Sequence, residues 1–412
     1  MVLGAEEPVY SYRTVETSKQ ESSESLSALT CWGHKQNPNH ANLDEEMYLV
    51  IGSTAVLFAV LYWCYKKFRE APYQPGSVAK AFEASAVGDV MQSNETEEFI
   101  TLPNAVKLFY FNPSLPSPSL DSLPVVGVHG GPSIAPSEPW KISSCIPNFY
   151  LYHARGCGKS TRPHTKFPSP GMWPGMKIIE QDLGIGTQVG DIERIRKQFG
   201  STRGHKIDVV GHSFGGFIAT LYAAEFPQHV RSLTLLVPAA VLTLPSSSGD
   251  LFSIVKDKLK QKGNPGHVAE FAACMKRYMD FGSLPKETDE TLALRQAEFA
   301  KHYYRAMPNG TPRKPDVEPG MIGGMACYAT FLSMGMEHDY VPALKEMLRN
   351  SAFPVSIVHG ARDIIPESTS RQYVDLFPED HVKFHSIAEG DHDLFDLSDV
   401  GEIVLKTIER AN

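Results

Sequence analysis

Ile207-Asp208-Val209-Val210-Gly211-His212-Ser213-Phe214-Gly215-Gly216 reads as a short apolar strand, then a Gly-His-Ser-Phe-Gly turn, then an apolar helix continuing to Phe226. The glycines on either side of Ser213 let strand and helix approach closely. The serine then sits on a tight, strained turn with its hydroxyl exposed. A Gly-x-Ser-x-Gly pentapeptide alone also makes ordinary turns. The strand before it and the helix after it are what make Ser213 a candidate nucleophile.

Outward from this turn, strand-like runs cover residues 98–102 and 106–111, an opening hairpin, and then 125–128 and 149–152. The run Val125-Val126-Gly127-Val128 is apolar throughout, as strands buried on both faces are. A helix is expected over 188–199 and another strand over 233–237. Strands alternating with helices predict an α/β fold, a mostly parallel sheet with helices on both faces. The alternation stops near residue 240. From there to 350 the chain is helical and amphipathic, with apolar groups such as Leu251, Phe252, Ile254 and Val255, then Phe271, Met275, Tyr278 and Met279. This predicts an inserted helical cap, dividing a core of residues 96–239 and 351–412. Strands return at 355–358 and 382–387, and a last helix runs from Ser398, its expected N-cap, to Arg410.

Ahead of the core, residues 1–46 are polar and acidic without hydrophobic periodicity, the pattern of a disordered tail. Residues 47–65 carry no charge. At about 1.5 Å per residue they match the thickness of a bilayer core. Tyr48 at one end and Tyr62, Trp63 and Tyr65 at the other suit its interfaces. This segment is expected to be a single transmembrane helix, followed by a linker over 66–95. Lys66, Lys67, Arg69 and Lys80 lie downstream against Lys35 upstream, so the catalytic domain is expected on the cytosolic side. A secretory signal is disfavoured, because a long acidic tail precedes the apolar run.

The 412 residues are 42% hydrophobic and 21% charged, a globular composition with room for a large core. A net charge of -8 without basic blocks argues against a nucleic-acid partner. The 6 cysteines (Cys31, Cys64, Cys145, Cys157, Cys274, Cys327) are scattered, which suggests neither a zinc site nor a disulfide framework.

A serine hydroxyl needs a base, and the base needs a group that fixes its tautomer. In folds with this turn the chain order is nucleophile, acid, histidine. The strand over 355–358 leads to Asp363, and the strand over 382–387 leads to His392, both on the sheet edge that carries Ser213. His385 is a rival base but falls inside its strand. Asp391 and Asp393 are expected to be solvated. For an oxyanion, the backbone N–H of Phe214 is one expected donor. Gly131, in the loop His129-Gly130-Gly131-Pro132 after the strand over 125–128, is the other.

His129–Pro132, Arg155-Gly156-Cys157-Gly158-Lys159-Ser160, Asp191-Ile192-Glu193-Arg194-Ile195-Arg196 and the elbow at Gly211 to Gly216 together resemble the proline iminopeptidase (prolyl aminopeptidase) family of α/β-hydrolases, across roughly residues 98–408. The resemblance implies an α/β-hydrolase fold, a Ser213–His392–Asp363 triad, no metal or other cofactor, and release of N-terminal proline or a similar residue from small peptides. Two positions depart from it. His153 stands where the family usually has Asp, two residues before Arg155, and the Gly-His-Ser-Phe-Gly elbow is shared with hydrolases of many specificities. An aminopeptidase must also hold a free ammonium, for which Glu298 and Glu337 in the cap are the candidates. The alternatives are a lipid or small-ester hydrolase of monoacylglycerol lipase type, whose substrates a membrane anchor would bring close, and a non-catalytic binding protein on the same scaffold.

Overall fold

The computed structural model describes residues 76–84, 98–102, 105–113, 123–200, 206–245, 250–308, 317–335 and 337–412. The expected tail over 1–46 and the apolar segment over 47–65 lie outside the described residues. No helix among those described is long and apolar enough to cross a membrane.

Eight strands form one sheet: β1 (Phe99–Thr101), β2 (Lys107–Phe111), β3 (Val125–Val128), β4 (Phe149–Tyr152), β5 (Ile207–His212), β6 (Val230–Leu236), β9 (Val355–Gly360) and β10 (Val382–Ile387). Their order is β1-β2-β4-β3-β5-β6-β9-β10. β1 and β2 form the expected hairpin, and β2 meets β4 antiparallel. From β4 to β10 every pairing is parallel. β5 is buried along its whole length, as its run of apolar residues requires, whereas β10 is a half-exposed edge.

Helices cover both faces. α1 (Ser77–Ala84), α2 (Met172–Leu183), α3 (Ile185–Gly200) and α4 (Phe214–Glu225) come before the cap, and α10 (Glu367–Val374) and α11 (Ser398–Glu409) after it. α1 occupies part of the stretch expected to be a linker. Glu225, at the end of α4, accepts from the N–H groups of Gly76 (3.2 Å) and Ala79 (3.0 Å) at the start of α1. Phe82 packs edge-on against Phe226. α2 was also not expected. Pro174 and Gly175 in its first turn disguise it, although proline there forfeits no intrahelical bond. In α11, Ser398 is the first helical residue and Leu397 the N-cap, so the serine does not cap it as expected.

Between β6 and β9 lie α5 (Leu251–Gln261), α6 (Pro265–Tyr278), α7 (Asp289–Ala306) and α8 (Gly324–Met334). They share an apolar interior of Val255, Leu259, Phe271, Tyr278, Phe299 and Tyr303, with others. A short pair, β7 (Thr243–Leu244) with β8 (His338–Asp339), closes the insertion's base. The expected cap ends too late. In α9 (Val341–Leu348), Leu344 and Leu348 stand four residues apart and join the main core instead.

Candidate active site

Ser213 joins β5 to α4 with φ 53° and ψ −121°, a conformation that non-glycine residues rarely adopt. Its surroundings impose it. A side chain at Gly215 would meet the Val128 carbonyl oxygen at 2.1 Å, so only glycine lets α4 start this close to β3. The Ser213 N–H donates to Leu236 O (2.9 Å), and its carbonyl accepts from Gly216 and Ala239.

Loops at the ends of β9 and β10 bring the other two residues to it. His392 Nε2 lies 3.0 Å from Ser213 Oγ, and His392 Nδ1 lies 2.6 Å from Asp363 Oδ2. Asp363 Oδ1 accepts from the Ile365 N–H (3.0 Å) and from the Tyr303 hydroxyl (3.2 Å). Burial alone would raise the Asp363 carboxyl, but the charge and hydrogen bond of His392, with the Ile365 N–H, hold it below the ordinary carboxylate range. Burial alone would lower His392. The charge and hydrogen bond of Asp363 prevail and hold it above the ordinary histidine value. These are the polarities a base needs when it must carry a proton part of the time. His385 is in β10, paired with Val358. Asp393, expected to be solvated, is instead buried, because the turn over Leu394–Asp396 tucks Leu394 into the core.

Two further histidines hold this arrangement, and neither was singled out in the sequence. The His212 Nε2–H donates to the His392 carbonyl (2.7 Å), tying the elbow to the histidine loop. The His129 Nε2 accepts from the Ala154 N–H (2.9 Å), so its proton is on Nδ1 and is donated to Gly130 O (3.0 Å). Burial drives both rings down to about 4, so they stay neutral. His129 thereby braces the loop carrying Gly131. Phe214, the first residue of α4, has an N–H with no acceptor inside the helix. Gly131, Ser213 and Phe214 all line one cavity.

That cavity, about 660 Å³, lies between the core and the cap. From the cap side it is lined by the apolar Leu251, Phe252, Phe299, Met321, Phe331 and Met334, with Asp250, Gln296 and Glu318 as polar groups among them. The two carboxylates expected to bind an ammonium are not part of its lining. Glu298 pairs with Arg277 at the partly exposed outer side of the cap, and Glu337 is half-buried just ahead of β8. Helical spacing alone did not reveal which face of α7 looks inward. The one group of possible metal ligands among the described residues is Cys274, Glu298 and His302, with ligand atoms within 4.8 Å of one another. Its carboxylate is the one committed to Arg277.

The motif residues between β4 and α3 turn out to be braces. Arg155 holds Asp191 through two bonds, of 3.1 and 2.7 Å, and Arg194 reaches the same carboxylate. Ser160 Oγ accepts from the Phe109 N–H and donates to the His153 carbonyl.

Residues 124–399 match the family model described as alpha/beta hydrolase fold. The chain belongs to that family. Among its relatives is the Abhydrolase domain-containing protein abhd-5.2 of Caenorhabditis elegans, 25% identical over 285 residues, which cover 66% of this chain and 55% of that protein. The (Lyso)-N-acylphosphatidylethanolamine lipase of Mus musculus is 22% identical over 328 residues, covering 74% of this chain and 83% of the lipase. The Proline iminopeptidase of Saccharolobus solfataricus is 27% identical over 139 residues, covering 32% of this chain and 38% of the peptidase. The chain thus spans about half the length of the first of these relatives, and its match to the peptidase covers about a third of its own length.

Proposed function

We propose that the protein is a serine hydrolase cleaving the acyl bond of an amphiphilic ester or amide, anchored to a membrane by residues 47–65 with its catalytic domain on the cytosolic side. The predominance of apolar side chains in the cap wall of the cavity that holds Ser213, with Glu298 and Glu337 outside it, is the observation that carries this reading. The length of the match to the mouse lipase supports it too.

In this reading His392 takes the Ser213 proton through Nε2 as Oγ attacks the substrate carbonyl. Asp363 keeps the remaining imidazole proton on Nδ1 and stabilises the imidazolium. The N–H groups of Gly131 and Phe214 meet the oxyanion. His392 then returns the proton to the departing alcohol or amine. Water enters and, deprotonated by the same histidine, releases the acid from the acyl-enzyme. No step calls for a metal or a redox cofactor.

The test compares a long-chain monoacylglycerol, a short ester and proline-naphthylamide on the full chain, alongside Ser213→Ala with a fluorophosphonate label. Preference for the long acyl chain, with labelling and turnover lost in the variant, is expected. Faster cleavage of the free-amine substrate, abolished by its acetylation, would restore the aminopeptidase reading. Labelling that survives Ser213→Ala would remove both.

A further inference from the structure

Among the described residues Asp363 accepts from three side-chain or backbone donors, and one of them does not belong to the core. His392 and the Ile365 N–H come from loops of the sheet, whereas Tyr303 projects from α7 of the cap. Its ring also packs edge-on against the His392 ring, with centroids 5.3 Å apart. Tyr303 is buried, and α7 is held in turn by its neighbours α6 and α8.

We propose that Tyr303 is a positioning residue by which the cap completes the Asp363–His392 pair, so that the hydrolytic centre is in working order only with α7 seated. This rests on the triad reading above. The chemistry is that of a donor aimed at the acid's second oxygen. A carboxylate that loses a hydrogen bond becomes a stronger proton acceptor, and so a stronger partner for the imidazolium. Burial, and then the charge of Asp363, raise the Tyr303 phenol well above its ordinary value, so it remains a donor throughout the working pH range. The other titratable groups facing the pair are His212 from the elbow, His359 at the end of β9, Asp391 and Asp393 from the histidine loop, and Tyr304 beside Tyr303.

The sign follows. His392 must be neutral to accept the serine proton, so activity falls as pH drops through its pKa. Tyr303→Phe keeps the ring but removes the donor, which raises that pKa further. In the full chain, the acidic limb of kcat/KM for 4-nitrophenyl acetate, an ester too small to reach the cap wall, should move up by about half a pH unit. Because Asp363 then loses the donor that fixes its second oxygen, and so orients His392 less well, the plateau kcat should fall about 10-fold with KM nearly unchanged. Tyr328→Phe is the control. It removes another buried cap hydroxyl, bonded to the Tyr278 carbonyl (2.6 Å), and should leave the limb in place. An unmoved limb in Tyr303→Phe, or equal movement in both variants, overturns the proposal. Turnover unchanged in Ser213→Ala would instead show that the triad reading itself had failed.

Discussion

The helix that carries the nucleophile and three of the helices that roof it, α5, α6 and α7, begin in opposite ways. In the cap, Asp250 accepts from the Ser253 N–H, Asn264 from the Gly266 N–H, and Thr288 forms a capping box with Thr291. Each satisfies an orphan donor of its own helix, worth about 1 kcal/mol. Ser213 occupies the same position at the start of α4, and serine is a favoured cap, yet its side chain makes no capping bond. Its hydroxyl faces His392 instead. The backbone there is also strained, at a cost of about 1–3 kcal/mol. What offsets both is that every residue of α4 is buried. The core thus holds a locally unfavourable helix start in place, while the cap stabilises itself by local means. The core carries Ser213, His392 and Asp363, while the cap adds much of the cavity wall and, through Tyr303, a donor to Asp363.

The hardest blow to this division should be Asp363→Asn. It preserves the shape of the core loop but favours the wrong tautomer of His392. A loss of about 10⁴-fold in kcat is expected, by the behaviour of other triads. A variant close to wild type, in steady-state kinetics of a purified and folded sample, would mean that the core does not own the chemistry.

Gly130→Ala is a finer probe. The added methyl would come within 2.8 Å of Ser213 Cβ and 3.2 Å of the His212 carbonyl, so the loop before Gly131 must shift. Loss of one oxyanion donor would lower kcat by about 10²-fold, with Tm little changed and substrate binding retained. Normal turnover would place the donor elsewhere.

On the cap side, Glu298→Gln should do almost nothing. Its pair with Arg277 is partly exposed, and such pairs are worth at most about 1 kcal/mol. Rates on a free-amine substrate and on a neutral ester should both stay within about 2-fold of wild type. A selective loss on the amine alone would bring Glu298 back as an ammonium ligand and blur the line between roof and centre.

The elbow, the order of acid and base, and the parallel sheet were legible because each depends on residues adjacent in sequence: a strand, a turn, a loop at a strand's end. The supporting contacts were not. Tyr303 meets Asp363 across sixty residues of chain, and His212 meets the His392 loop across still more. Nothing local in a tyrosine on an amphipathic helix marks it as facing a carboxylate. That Glu298 and Glu337 lie outside the cavity lining was hidden for the same reason, since charge and approximate position do not reveal orientation. His129 and His212 did carry a signal: each adjoins a motif already read as functional.

The clamp between Glu225 and the start of α1 gives the nucleophile's helix a second duty. Ser213 begins α4 and Glu225 ends it, twelve helical residues or about 18 Å apart. The carboxylate faces the positive end of α1, an arrangement that helix dipoles favour. α4 is therefore a strut with the Ser213 hydroxyl at one end and the mooring of α1 at the other.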